Sequence, residues 1–472
     1  LGIKRILTPD LLHSPICNAN VKNEVVYMDK FDLAVIGAGP GGYVAAIHAA
    51  KSGLRVALVE KDKVGGACYN VGCIPSKIML EHSKLVQEIR RGTDWGVTVP
   101  TINIDFPKLM QRKDQVVDEL LSNIETFIEN AQITMFRGKA TVTAERKVII
   151  GKEAFTADHV ILATGSRPFV PPFKGLENAS YHTTDTFFSI QELPKQLTII
   201  GGGVIAIEMA FALAPMGTKV TVLNHSKDIL QTEEPDARPI IKEKMNQLGI
   251  ELVTDFTFEE IHADHVQTSI GNFPLENLLF ATGRRPNTEI AEVLEMQMDG
   301  RLIKVDNHYE TSIPGIFAIG DLVGGFQLAH SASAEGVHAV DYILGKHPKV
   351  INQQEIPRCV YTHPEIATFG MLEHEAPADS IVTKMYLPTN PKALLEGNTQ
   401  GFMKFVASPE GDIYGACVVG DGATEMINSM LAAKVLGGSV KDLARLIFPH
   451  PTVSEHVGDA ARSVFGKAIH AK

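Results

Sequence analysis

Apolar positions along this chain follow two periods, and the switch between them occurs twice in the same order. Residues 31–36 form a nearly unbroken apolar run of strand length, which reads as a buried strand. The turn Gly37-Ala38-Gly39-Pro40-Gly41-Gly42 leads into helical spacing to about residue 52, and a second strand runs from 54 to Glu60. Later, a strand at 197–200 meets Gly201-Gly202-Gly203-Val204-Ile205-Ala206, a helix through about residue 216 and a strand at 219–223. Each unit predicts strand, glycine turn, helix, strand. In the first, an acid closes the second strand eighteen residues beyond Gly42. Gly37, Gly39 and Gly42 permit a tight turn and close approach of a pyrophosphate to helix N–H groups, and Glu60 can hydrogen-bond a ribose hydroxyl. Two such units imply two bound nucleotides.

Between the units, residues 106–130 carry helical periodicity and many charges, predicting a solvated amphipathic helix without chemistry of its own. Residues 158–168 and 277–286 each run as an apolar strand into Ala-Thr-Gly, at 163–165 and 281–283, predicting crossings between domains or turns beside a cofactor. Another strand ends in Gly320-Asp321 and is followed by Leu328-Ala329-His330 and a helix. From about residue 350 the glycine motifs stop, and strands with two helical stretches predict a third, α+β domain.

The length of 472 residues agrees with about three domains. No apolar run is long enough to span a bilayer, which argues against a membrane protein. A net charge of -11 without a basic stripe argues against nucleic acid as partner. No cluster with metal-ligand spacing stands out, so no metal is expected. Five scattered cysteines do not form a secreted disulfide framework and fit a reducing cytoplasm. Residues 1–27 carry neither a signal core nor a transit pattern, and Met28 directly precedes the first strand. The expected native start is Met28, with Cys17 in the upstream extension.

Cys68 and Cys73, in Gly65-Gly66-Ala67-Cys68-Tyr69-Asn70-Val71-Gly72-Cys73-Ile74-Pro75-Ser76-Lys77, follow the first nucleotide unit. Two thiols beside a redox cofactor suggest a dithiol/disulfide oxidoreductase; two buried structural thiols are the bland alternative. In a regular helix their Cα atoms would lie about 8 to 9 Å apart. A disulfide needs roughly 4.4 to 6.8 Å. Closure therefore requires irregular winding between them, which Gly72 permits and Pro75 bounds.

With these motifs on the page, the chain from about residue 30 onward resembles the pyridine nucleotide-disulfide oxidoreductases, most closely the dihydrolipoyl dehydrogenases. The resemblance rests on the cysteine segment 65–77, the two glycine motifs, Ala-Ile-Gly-Asp at 318–321 and His-Pro-Thr-Val-Ser-Glu at 450–455. Leu-Ala-His at 328–330, Tyr-Thr-His-Pro-Glu at 361–365 and Ala-Ile-His at 468–470 are similar to the lipoyl branch. It implies an α/β fold with two Rossmann-like domains, FAD-binding (28–150 and 284–349) and NAD(P)-binding (151–283), and a dimerisation domain (350–472). It further implies that electrons pass from a dithiol through a Cys68–Cys73 disulfide and FAD to a nicotinamide. In that scheme Cys68 exchanges with substrate, Cys73 faces the flavin, and Lys77 pairs with Glu208 near it. His450, supported by Glu455, would take a thiol proton in the partner subunit's site, giving a homodimer with shared sites. Asp321 would hold the ribityl chain, Ala329 and His330 would underlie the ring, and Gly138, Thr164, Gly165 and Ser166 would line the adenine and pyrophosphate side. Gly201, Gly203, Ala206, Asn224 and Gly283 would bind the second nucleotide. From residue type alone, Lys77 and Glu208 read equally as solvated helix charges and His450-Pro451 as a surface turn. Cys359 and Cys417 read as core or interface residues.

Two residues depart from the pattern. Asn224 stands where NAD enzymes of the family end the strand with Glu, followed by His225, Ser226 and Lys227, and Ala206 replaces the usual Gly of lipoyl enzymes. NAD is the favoured nicotinamide and NADP stays open. The implied substrate is a small dithiol, a lipoyl group free or on a carrier protein, and a 2-oxoacid dehydrogenase complex is one candidate assembly. A glutathione-type reductase with NADPH, a mercuric reductase without its C-terminal cysteine pair, and a structural subunit of a multienzyme complex are the alternatives. Ala67 and Tyr69, where Thr and Leu are usual, bear on the pocket mouth.

Overall fold

A computed structural model describes residues 26–27 and 30–470. Thr134–Arg137, Val56–Glu60, Phe31–Ile36, Glu153–Leu162 and Ile316–Ala318 form one parallel layer in that order. Glu251–Thr254, Lys219–Asn224, Gln196–Ile200 and Leu278–Phe280 form a second parallel sheet with the same sequence of neighbours. The inner strands Phe31–Ile36, Val56–Glu60, Gln196–Ile200 and Lys219–Asn224 are almost wholly buried, as unbroken apolar runs require, whereas the edge strands Thr134–Arg137 and Glu251–Thr254 are not. In both sheets the glycine turn lies at the carboxyl end of the central strand, where open α/β sheets bind ligands.

Helix Val204–Leu213 is apolar nearly all round, and every residue from Ala206 to Leu213 is buried. The helix Cys73–Arg91 crosses it, and Ser83 Oγ donates to the Phe211 carbonyl at 2.8 Å. That crossing joins the cysteine segment to the second nucleotide unit. Helix Pro40–Lys51 packs equally closely on Ala329–Ile343: a Cβ at Gly336 would lie 2.7 Å from the Gly41 carbonyl oxygen.

Several expectations are corrected. The domain boundary was expected at 150/151, yet Glu153–Leu162 is hydrogen-bonded beside Phe31–Ile36 in the first sheet, so the chain leaves that sheet only after residue 162, inside the stretch 158–168 read as a crossing. Residues 166–168 and 284–286 then pair antiparallel as the two linking strands. Phe106–Asn130 is the expected helix, capped by Asp105, but its buried face includes Lys113, whose Nζ donates to the Phe188 carbonyl at 2.8 Å. The C-terminal part is a five-stranded antiparallel sheet with four helices rather than two among the described residues. The two short additions, Pro391–Glu396 and Val440–Leu443, begin at side-chain caps of Asn390 and Ser439, a signal that periodicity does not register. Val26–Tyr27 pairs in parallel with Glu153 and Ala154; the expectation of a start at Met28 and the placing of Cys17 lie outside the described residues. Among the described residues no helix is long and apolar enough to cross a membrane, and no cluster could hold a metal ion.

Candidate active site

The helix that would carry both cysteines is broken between them. Gly66–Val71 ends at Gly72, and Cys73–Arg91 begins directly after it. A Cβ at Gly72 would lie 2.9 Å from the Ala67 carbonyl oxygen, so the close turn needs glycine. Both cysteines are free thiols here, and the Cys68 thiol hydrogen-bonds the Cys73 sulfur. The irregular winding expected from their spacing is present. That hydrogen bond brings the Cys73 pKa down to about 7, with Lys77 acting in the same direction and burial opposing. The same bond, then burial, pushes Cys68 up. One sulfur of the pair therefore holds the negative charge preferentially, and it is Cys73.

Lys77, one helical turn beyond Cys73, donates to Glu208 Oε2 at 2.8 Å. Glu208, with a side chain 4% exposed, also accepts the Tyr361 N–H at 2.9 Å through Oε1, so both its oxygens are satisfied. Lys77 Nζ sits 4.5 Å from the Tyr361 ring centroid. The pair is a buried tie between helices rather than two solvated charges. On the other side of the cysteines, the hydroxyls of Tyr69 and Tyr43 lie 3.2 Å apart.

Cys68, Cys73, Lys77, Glu208 and Tyr361 line one cleft of about 2250 Å³ that runs over the carboxyl ends of both parallel sheets. Its first arm is lined by Gly37, Gly39, Glu60, Gly138, Thr164, Gly165, Ser166, Asp321 and Ala329, and its second by Gly201, Gly203, Asn224 and Gly283. The arms are built alike. A Cβ at Gly37 would meet the Ala163 carbonyl at 2.3 Å, and one at Gly201 the Ala281 carbonyl at the same 2.3 Å, so each Ala-Thr-Gly crossing presses on a glycine turn. Both glycines have positive φ, +106° and +131°.

The first arm fits FAD. Gly39 starts its helix without a side-chain cap, leaving N–H groups for a pyrophosphate. Glu60 accepts from Ala38 N at 2.7 Å and Asp62 N at 2.8 Å, which fixes a carboxylate with lone pairs remaining for a ribose. Burial pushes the Asp321 carboxyl up while its hydrogen bond from Ser166 opposes, and Ser166 in turn accepts from Arg284 Nε at 2.7 Å.

Two expected cofactor residues do not line the cleft. Gly42 and Ala206 lie behind the turns, where a Cβ at Gly42 would meet the Gly37 carbonyl oxygen at 1.9 Å; they set how closely helix and strand pack. Cys359, expected in the core or interface, lines the cleft with Arg358 and Tyr361, whereas Cys417 is buried as expected. Lys113, Arg284 and Asn287 also line it without having been singled out. Asn287 is locked to Thr164, Nδ2 donating to the Thr164 carbonyl at 2.8 Å and Thr164 Oγ1 to the Asn287 carbonyl at 2.9 Å. The signal was available: Ala-Thr-Gly-Arg-Arg-Pro-Asn at 281–287 repeats Ala-Thr-Gly-Ser-Arg-Pro at 163–168.

His450 and Glu455 meet, Nδ1 to Oε2 at 3.0 Å, across a cis His450–Pro451 bond. Neither lines the cleft of its own chain, and the His450 side chain is 69% exposed. The imidazole is oriented by a carboxylate and offers Nε2 outward.

Comparison with known proteins agrees with this site. Residues 31–336 match the pyridine nucleotide-disulphide oxidoreductase family and residues 356–461 its dimerisation domain. A dihydrolipoyl dehydrogenase of Bacillus subtilis (strain 168) is 35% identical over 460 residues, spanning 93% of this chain and 100% of that protein. One from Geobacillus stearothermophilus is 37% identical over 458 residues, 93% and 97% of the two chains. Among solved structures, LpdA from Mycobacterium tuberculosis superimposes with a TM-score of 0.85 at 26% identity, covering 93% of this chain and 100% of that one. The HOCl-induced flavoprotein disulfide reductase RclA from Escherichia coli gives 0.81 at 26% identity, covering 91% and 99%. The chain belongs to the pyridine nucleotide-disulphide oxidoreductases. Within that family it is an FAD-dependent oxidoreductase acting on sulfur groups, with NAD as its nicotinamide partner and a C-terminal dimerisation domain.

Proposed function

We propose that the chain oxidises the dithiol of a lipoyl group, free or on a carrier protein, and delivers the electrons to NAD⁺. The observation that carries this reading is the asymmetric thiol pair Cys68/Cys73 in the cleft, set against the lipoyl enzymes to which the whole chain is similar. When bound, FAD supplies the two-electron relay between the cysteine pair and the nicotinamide.

The residues then divide the work. His450 of the partner subunit takes the first thiol proton at Nε2, Glu455 holding its Nδ1. The substrate thiolate attacks Cys68 of the closed disulfide, forming a mixed disulfide, and Cys73 leaves as thiolate. Lys77 favours the thiolate of Cys73 as it leaves, and once Cys68 is displaced its raised pKa suits its reprotonation and its hydrogen bond to Cys73. The second substrate thiolate displaces Cys68 and closes the substrate disulfide. Lys77 and Glu208 hold a fixed charge pair beside Cys73 throughout. The low cysteine count supports a cytoplasmic location, and a 2-oxoacid dehydrogenase complex is the assembly that would present a lipoyl carrier.

A steady-state panel of dihydrolipoamide, lipoamide, glutathione disulfide and Hg²⁺ with both nicotinamides tests the assignment. Fastest turnover is expected with dihydrolipoamide and NAD⁺. Higher kcat/KM for glutathione disulfide or Hg²⁺ would overturn the lipoyl reading.

A further inference from the structure

The two nucleotide arms provide an internal comparison at the residue that meets the adenosine ribose. Glu60 and Asn224 both end the second strand of their units, and both face the first glycine turn. Glu60 keeps a carboxylate there. The Asn224 amide is tucked under the turn, 95% buried, so closely that a Cβ at Gly202 would lie 2.5 Å from its Cγ. Its Nδ2 is committed to the carbonyls of Ser226 at 3.2 Å and Asp228 at 2.9 Å. Its Oδ1 accepts no hydrogen bond from the described residues, leaving a neutral acceptor for a ribose hydroxyl.

Among the described residues, the acid next along the chain and two that line this arm are engaged. Asp228 is held by Lys242 at 2.7 Å and Arg238 at 3.6 Å, and its pKa is lowered, burial being outweighed by the Lys242 bond, the Ile229 N–H and the charges of Lys242 and Arg238 together. Glu233 and Glu208, which line this arm, are paired with Arg358 and Lys77. Nor does a guanidinium stand ready for a phosphate, because Arg238 is occupied by the carbonyls of Gln231 and Glu233 as well as by Asp228. The exposed groups beyond Asn224 are the His225 imidazole, which lines the cleft, and the Lys227 ammonium. An acid at this position favours a free 2′-hydroxyl and repels a 2′-phosphate, whereas a fork of Arg does the reverse.

We infer that Asn224 makes this arm indifferent to the 2′-phosphate, so that the protein binds NADP(H) and NAD(H) comparably. The inference rests on the dinucleotide-dependent reading above and concerns only the second arm. It is tested by calorimetric titration of the oxidised holoenzyme, without thiol substrate, with ADP-ribose and 2′-phospho-ADP-ribose. Failure of the lipoyl assignment would leave this titration untouched. The two dissociation constants are expected within about tenfold of each other, a narrow gap for a doubly charged group. Asn224→Glu should weaken the 2′-phospho ligand by about thirtyfold or more relative to the equally long, neutral Asn224→Gln, with ADP-ribose little changed. The inference is overturned if the wild type discriminates by more than tenfold in either direction. It is equally overturned if the Glu and Gln variants show the same ratio.

Discussion

At the scale of single residues, Cys73 carries the clearest chemical signature. With a pKa of about 7, it is half thiolate near neutrality in the dithiol form, while Cys68 stays protonated well above that pH. A lowered thiol pKa means that the thiolate is present above about 7 and lost as pH falls through it. Alkylation of the reduced enzyme should therefore show one sulfur titrating near 7, assignable to Cys73 by peptide mapping. Cys68→Ala removes the hydrogen bond that is the largest cause of the shift, so the Cys73 titration should move upward by about one unit or more. An unchanged midpoint would show that Lys77, rather than the partner thiol, sets the charge. Cysteine identity and spacing were readable from the chain, but this asymmetry was not, because it depends on which sulfur donates and on how near Lys77 lies.

At the scale of elements, the glycine turns fix how closely helix approaches strand. Gly42→Ala would place a methyl 1.9 Å from the Gly37 carbonyl oxygen, a backbone atom with no room to yield. The variant is expected to purify with less than about a tenth of its flavin, read as the flavin-to-protein absorbance ratio, since the helix N-terminus can no longer approach the pyrophosphate. At Gly203 a Cβ meets nothing within 4 Å, so Gly203→Ala should retain flavin fully. A flavin-replete Gly42→Ala would mean that the turn is not closely packed. The parallel units were legible because two periodicities meet at each turn, Phe31–Ile36 against Pro40–Lys51 and Gln196–Ile200 against Val204–Leu213. The boundary near residue 150 was misplaced because Glu153–Leu162 is a single ten-residue strand with four neighbours, paired at its start antiparallel with 147–150 and in parallel with Val26–Tyr27, and at its end in parallel with Phe31–Ile36 and Ile316–Ala318. Local sequence shows the strand but not which neighbour it joins. Lys113 was read as one more surface charge for a related reason: helical spacing places it on a face, and only packing on the Phe188 carbonyl shows that this face is closed.

At the scale of the whole molecule, the domains are tied through buried charge. Lys404, on a strand of the dimerisation part and 1% exposed, donates to Glu234 at 2.9 Å, Asp236 at 2.8 Å and Glu373 at 2.6 Å. The first two belong to the segment whose Leu230 N–H donates to Gly202 in the second glycine turn at 2.8 Å. Lys404→Met strands the buried carboxylate of Glu234, whereas Asp236 keeps Lys384 at 2.6 Å and Glu373 is more than half exposed, so the variant should cost about 3 kcal/mol in unfolding free energy, measured by denaturant titration.

Beyond one chain, His450 lies outside the cleft of its own chain and is exposed with its Glu455 partner. If His450 serves the opposite subunit, the defects of Cys68→Ser and His450→Gln lie in complementary halves of a dimer. Each homodimer is then inactive with dihydrolipoamide. In a mixed dimer, one site combines the intact cysteines of the His450→Gln chain with the intact histidine of the Cys68→Ser chain. Random reassortment of equal amounts should restore about a quarter of wild-type turnover, half the dimers being mixed and each holding one good site. If His450 instead acted within its own chain, every site in the mixture would carry a defect, and reassortment would restore nothing. The measured fraction therefore tells whether the catalytic unit is the chain or the dimer.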